Sequence, residues 1–263
     1  MILDPVNSIV NFPFYREVPK KSGGAIFGYI AYLGLLYSLT VLLALFIHMR
    51  PRIAETVDWL KTSVPKMTLA DGKLTSEARG PVSLVHPAAE EIKIIIDTDR
   101  KTAVTPAEMT RRKAVAYLTQ NTIYVLSGTK MEAYDLTKAE NKEPVVIDGK
   151  FYTMIGKVMN VALYPIAFIT TFFVFLVWKF AAALIYWVLA LIINALSSGG
   201  QQPGTLFKIS VYAQTPVVAL QMLTMVLMKP IPLFRILAFI LVGVYLWQAI
   251  RQQQAPPAAS SAV

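Results

Sequence analysis

The chain has no cysteine, two histidines and, beyond Asp148, no aspartate or glutamate at all. Each absence removes a class of chemistry. Without cysteine there are no disulfides, thiolate nucleophiles, cysteine zinc sites or palmitoyl anchors. His48 and His86 lie in different regions, which leaves no His-based triad or metal site. A carboxylate-free final third argues against proton or cation coupling there, since such membrane pathways commonly use Asp or Glu. No glycine-rich phosphate loop of the required form occurs. No cofactor is expected, and the chain reads as a non-enzyme.

Charge is also scarce. Only 16% of the 263 residues are charged, 55% are hydrophobic, and the mean hydropathy is +0.52. That is a membrane composition, because soluble domains carry about a quarter charged residues. The net charge of +9 is unevenly placed. Residues 50–155 hold 16 Lys/Arg and 14 Asp/Glu, whereas the rest holds 9 basic and 2 acidic residues. Basic groups scattered singly among apolar runs suit anionic lipid head groups. They do not make the clustered basic patch of a nucleic-acid binder.

What is present is a set of apolar runs. The first 24 residues contain Pro5, Pro13 and Pro19 and no apolar core, so they read as a cytoplasmic segment and not as a signal peptide. The first span is expected at 25–49, as an uncleaved anchor about 37 Å long. Gly28, Ala31 and Gly34 along it offer a close approach for another helix, although glycine is common in membrane helices generally. Residues 156–250 form a membrane bundle with helices expected at about 165–196, 209–228 and 231–250. The 158–196 stretch lacks turn residues around Lys179, which favours one long helix started by Pro165, with Tyr152–Tyr164 at the interface before it. Both termini are then cytoplasmic. The Gln-, Ala- and Pro-rich tail 251–263 is expected to be disordered.

Residues 50–155 read as a small extracytoplasmic α+β domain. Ile53–Thr62 has helical spacing. Asp71-Gly72 between two alternating runs signals a type I′ hairpin. Ile92–Ile96 is a buried-strand candidate, Thr105-Pro106 starts a helix, and Thr122–Leu126 with Met131–Leu136 forms a second hairpin. The fold class is a polytopic α-helical membrane protein of about four transmembrane helices with this domain inserted.

Several short motifs carry a family likeness: Phe14-Tyr15-Arg16, Leu69-Ala70-Asp71-Gly72-Lys73-Leu74, Ile95-Ile96-Asp97-Thr98, Gly199-Gly200 and the run Leu206–Pro216. With them the chain resembles the bacterial family called domain of unknown function 1189, itself similar to the Yip family of polytopic membrane proteins. The resemblance implies a helical bundle with a domain inserted after the first helix, placed in the bacterial inner membrane. It supplies no activity.

Two places invite a chemical role. Lys179 is the only charged residue between Lys157 and Lys208. A lysine at the centre of a span costs roughly 2.5–3.5 kcal/mol on insertion scales. Either it snorkels to the head groups, the favoured reading, or it contacts a lipid phosphate or anionic substrate. Thr215-Pro216 interrupts the third span and frees a carbonyl near Tyr212, which Gln214 or Tyr212 is expected to help satisfy. A kink there shapes the bundle or, alternatively, lines a cavity. Asp97-Thr98-Asp99 is similar to the strand-end aspartates of haloacid-dehalogenase phosphatases. The spacing to Thr102 is one residue too long, and a strand ending in a polar turn is the better account. The function expected is a partner- or lipid-interacting subunit whose exported domain is the recognition module, with membrane lipids and a membrane-protein partner or second copy as ligands. The alternative is a transporter or channel component for an anionic or lipid substrate.

Overall fold

The structure is a computed structural model describing residues 2–138, 143–197 and 199–254, the Glu90 side chain aside. The chain divides into two compact units, Met1–Ile47 with Leu163–Val263, and His48–Ala162. Among the described residues, four helical stretches are long and apolar enough to cross a membrane: Gly23–Ser63, Gly149–Leu196, Pro203–Leu227 and Phe234–Gln254.

The first of these, α2 (Gly23–Ser63), follows a short α1 (Asp4–Val10) and two 3-10 turns, Phe12–Arg16 and Val18–Lys20. Ser22 Oγ accepts from the Ala25 amide and marks where α2 begins. The expected break between a span at 25–49 and a helix at Ile53 does not occur, and Pro51 lies inside one 41-residue helix. A helix-internal proline removes one backbone donor and bends the helix without having to end it when helix formers flank it.

The same correction applies to α4 (Gly149–Leu196), 48 residues or about 72 Å of rise. Pro165 does not start this helix but lies within it. The start is set by Asp148, whose Oδ1 accepts from the amides of Lys150 at 2.9 Å and Phe151 at 3.1 Å. The segment expected to lie at the interface, Tyr152–Tyr164, is therefore helical. Each unit boundary falls in a helix about one turn ahead of such a proline, at Ile47 for Pro51 and at Ala162 for Pro165.

The third stretch is two helices, α5 (Pro203–Ala213) and α6 (Thr215–Leu227), parted at Gln214. It begins earlier than the expected 209 because Pro203 opens the helix at its first turn. After α6, Met228 and Leu233 both adopt positive φ, and α7 (Phe234–Gln254) starts three residues later than expected, past Pro230 and Pro232. It also runs further. Residues 251–254 are helical, correcting the expected disorder from 251, while 255–263 lie outside the described residues.

In the first unit a single apolar cluster joins Tyr29 and Ile30 of α2, Ala183 and Ala190 of α4, Ile209 and Tyr212 of α5, and Val242 and Leu246 of α7. Tyr15 and Val18 of the N-terminal turns are fully buried in the same cluster. That segment, read as a plain cytoplasmic lead-in, is thus part of the core. At Gly34 an added Cβ would meet Phe175 at 3.2 Å, so α2 and α4 approach closely where the sequence has a glycine.

The second unit holds two sheets. One has strand order β2-β1-β8, from Met67–Ala70 (β1), Lys73–Ser76 (β2) and Val145–Ile147 (β8). The other has order β3-β4-β5-β6-β7, comprising Val82–His86, Ala89–Ile96, Ala116–Leu118, Thr122–Ser127 and Lys130–Asp135. Among the described residues only β4 and β5 pair in parallel, joined through α3 (Pro106–Arg112), which Thr105 caps through its side chain. The expected Asp71-Gly72 turn forms with both residues at positive φ, as a type I′ turn requires.

Candidate functional site

Along α4 the buried residues Phe175, Lys179, Ala183 and Ala190 recur at helical spacing and form its inward row. Lys179 is therefore carried to the inside of the bundle by register. Only 8% of it is exposed, and its Nζ donates one long hydrogen bond, 3.4 Å, to Gln221 Oε1 of α6. The ammonium also sits 5.6 Å from the centroid of the Phe175 ring. This differs from the snorkelling reading: the side chain turns into the bundle and does not stretch along the outside of its helix.

Two cavities meet at this lysine. The first, about 390 Å³, lies between α4, α6 and α7 and is walled by residues including Ala182, Ile185, Val217 and Phe239. The second, about 350 Å³, lies between α2, α4 and α6 and is walled by Tyr37, Val41, Thr171 and Val174 among others. Trp178, Lys179 and Gln221 belong to both. Arg235, in the first turn of α7, adds a second cation to the first cavity. Trp178 and Phe239 are substantially exposed, so the first cavity opens sideways through apolar rims.

The helix break contributes from the other direction. Pro216 has no amide hydrogen, so the Tyr212 carbonyl lacks its helical donor. Thr215 Oγ1 supplies it at 2.7 Å. The Gln214 backbone N–H also points to that carbonyl, as the cap of α5, whereas the Gln214 side chain and the Tyr212 hydroxyl turn elsewhere. Gln214 Nε2 donates to the Ser210 carbonyl at 3.3 Å, and its buried Oε1 has no hydrogen-bond partner among the described residues. Gln214 lines the first cavity together with Gln221, two turns further along the same face.

Tyr212 and Thr215 instead join a separate polar cluster with the N-terminal segment. Tyr212 Oη donates to Asp4 Oδ2 at 3.2 Å, and Lys21 forms an ion pair with the same carboxylate. The Tyr29 ring stacks on Tyr212 at 3.9 Å, and the Tyr29 and Thr215 hydroxyls are 2.6 Å apart. Burial pushes the Asp4 carboxyl up, but the Lys21 ammonium outweighs it and holds the group below its ordinary range. Lys208 Nζ donates to the carbonyls of Pro19 and Lys21, and Tyr245 Oη to that of Ile9. Beside α5 the chain thus does hold a carboxylate, delivered by Asp4 from far away in sequence, which corrects the expectation that this region has only basic groups.

The structure thus gathers Lys179 and Gln214 around one cavity and assigns Tyr212 and Thr215 to another cluster. Sequence reasoning missed Gln221, Arg235, Asp4, Lys21 and Lys208. Two signals were available: the seven-residue spacing of Gln214 and Gln221, and the phase of Lys179 with Ala183 and Ala190. The rest depends on distant parts of the chain meeting.

In the second unit the strand-end Asp97 accepts from Tyr117 Oη at 3.1 Å, and Arg100 pairs with Glu108 at 2.7 Å. His86 lies edge-on against Trp59, with its Nε2 3.2 Å from Thr56 Oγ1. These are satisfied structural contacts. Among the described residues no three His, Asp or Glu side chains gather as metal ligands.

A family model described as Protein of unknown function (DUF1189) matches residues 6–250. The chain belongs to that family. The DUF1189 match takes in Lys179, Gln214, Gln221 and Arg235, and begins just after Asp4. No curated protein and no solved structure matches the chain.

Proposed function

We propose that this is a multi-pass protein of the bacterial inner membrane that works by holding an anionic lipid in its helical bundle, without catalysis. The observation that carries the reading is the Lys179 ammonium, buried where two largely apolar cavities meet and given one long hydrogen bond for its three donors. A buried cation of this kind is costly unless it is paired. A lipid phosphate supplies the missing charge, and acyl chains suit walls such as Ile185, Val217 and Phe239 that open toward the exposed Trp178. In this reading the 48–162 unit is extracytoplasmic and serves as the recognition module for a membrane-protein partner or a second copy. The Yip-like family resemblance is compatible with such a role. A conduit for anionic lipid is the second reading, favoured by the sideways opening of the first cavity and by the lack of Asp and Glu after Asp148.

The test is lipid retention. Protein extracted in mild detergent should carry anionic phospholipid through purification. Lys179→Leu should strip it, and Lys179→Arg should retain it through its forked donors. A Leu variant that keeps the same lipid at the same stoichiometry would refute the reading.

A further inference from the structure

We infer that the Lys179 site takes a two-chain anionic phospholipid, its phosphate at the ammonium and one acyl chain in each of the two cavities. The inference rests on the lipid reading above and adds the shape of the ligand. Its basis is the shared wall. Trp178, Lys179 and Gln221 border both cavities, so one phosphate seated on Lys179 and the Gln221 amide stands at the entrance of each. The two spaces diverge from there, one between α4, α6 and α7, the other between α2, α4 and α6. Their volumes, about 390 and 350 Å³, are nearly equal, and each lies within the roughly 300–1,000 Å³ usual for a ligand pocket.

A small anion leaves both apolar spaces unused, and a one-chain lipid leaves one. The chains bring no general hydrophobic gain, because bilayer tails are as apolar as the cavity walls. Affinity therefore comes from the charge, and discrimination by chain number comes from filling space that would otherwise lack packing partners. Arg235 lies on the first cavity only, so the head group leans to that side and a second negative charge on the phosphate has a partner.

The experiment titrates the full-length protein in mild detergent with dioleoyl phosphatidic acid, its one-chain lyso form and inorganic phosphate, with binding read by native mass spectrometry. The wild type should bind the two-chain lipid about tenfold tighter than the one-chain form, a difference of ~1.4 kcal/mol. Inorganic phosphate should bind more weakly than either. Thr171→Phe fills the second cavity and Ala182→Phe the first. Each should bring two-chain affinity down to the one-chain level and leave one-chain affinity unchanged. If Thr171→Phe does not fold, Val41→Phe blocks the same space from α2. Equal wild-type affinity for one- and two-chain lipid overturns the inference, as does a fully retained preference in both filled variants. Phosphate binding as tight as lipid binding also overturns it. Lys179→Leu separates the two claims: if it abolishes binding of both lipids, the lipid reading stands whatever becomes of chain number, and if it changes neither, that reading fails too.

Discussion

Thr215 does two jobs with one hydroxyl: it gives its proton to the Tyr212 carbonyl and lies 2.6 Å from the Tyr29 hydroxyl. Replacing it with Val keeps the volume and removes both contacts inside a buried cluster. The expected cost is about 1–3 kcal/mol for two lost buried hydrogen bonds, read as a lower thermal midpoint in detergent. Thr215→Ser should recover most of it. A second residue-scale expectation concerns Glu108. The hydrogen bonds it accepts from the Arg100 guanidinium, against a smaller opposing effect of burial, hold the carboxyl below its ordinary value. A carboxylate depressed in the folded state stabilises above its unfolded value, about 4.3, and loses that contribution as pH falls through the folded one. Acid titration of the 48–162 unit should therefore show a stability drop below pH ~4 that Glu108→Gln flattens, the variant already being the weaker one at neutral pH. How much of the site could be read beforehand differs residue by residue. Lys179 stood out because charge is rare in an apolar run, yet its direction was decided by Ala183 and Ala190, whose phase fixes the inward face of α4. Asp4 was invisible as a partner of Tyr212, since nothing local links positions 208 residues apart.

At the scale of elements, the two long helices each carry a proline where the chain passes from one unit to the other. Pro165 removes the amide that would serve the Val161 carbonyl, which weakens the backbone ladder at that turn. Amide exchange at residues 161–166 should be faster than in the flanking turns of α4. Pro165→Ala should slow it without shortening the helix, and equal protection before and after the change would show that the turn is not a weak point. The elements legible in the sequence were those whose signals are local. The β1–β2 hairpin followed from Asp71-Gly72, and α3 from Thr105-Pro106. The three-residue strands β5 and β8 have no such signal, and pairing with β4 and β1 makes them strands. α4 starts well ahead of Pro165 for a related reason: its cap, 17 residues earlier, is the single side chain of Asp148, a weaker sequence signal than a proline in an apolar run.

On the scale of the whole molecule, residues 53–150 contain both apolar clusters of the second unit, one around Met109 and Tyr117 and one around Met67, Leu74 and Ile96. Expressed without the spans, this piece should give dispersed amide spectra; a collapsed, featureless spectrum would mean that it needs the bundle to fold. With four spans, a reporter active only in the cytoplasm should work at the C-terminus and fail within 50–155, and silence at the C-terminus would point to five. The seat of the N-terminal segment adds a matter of timing. Arg16 donates to the Gln252 carbonyl, Gln253 to that of Tyr15, and Tyr245 to that of Ile9. A ribosome makes these partners more than 230 residues after the segment that needs them. Until α7 emerges, residues 4–20 have only part of their seat, on α2 and α5, and α7 is what completes it. Nascent chains stalled before α7 should leave this segment open to protease, and full-length chains should protect it. A segment made early is, on this account, late to settle.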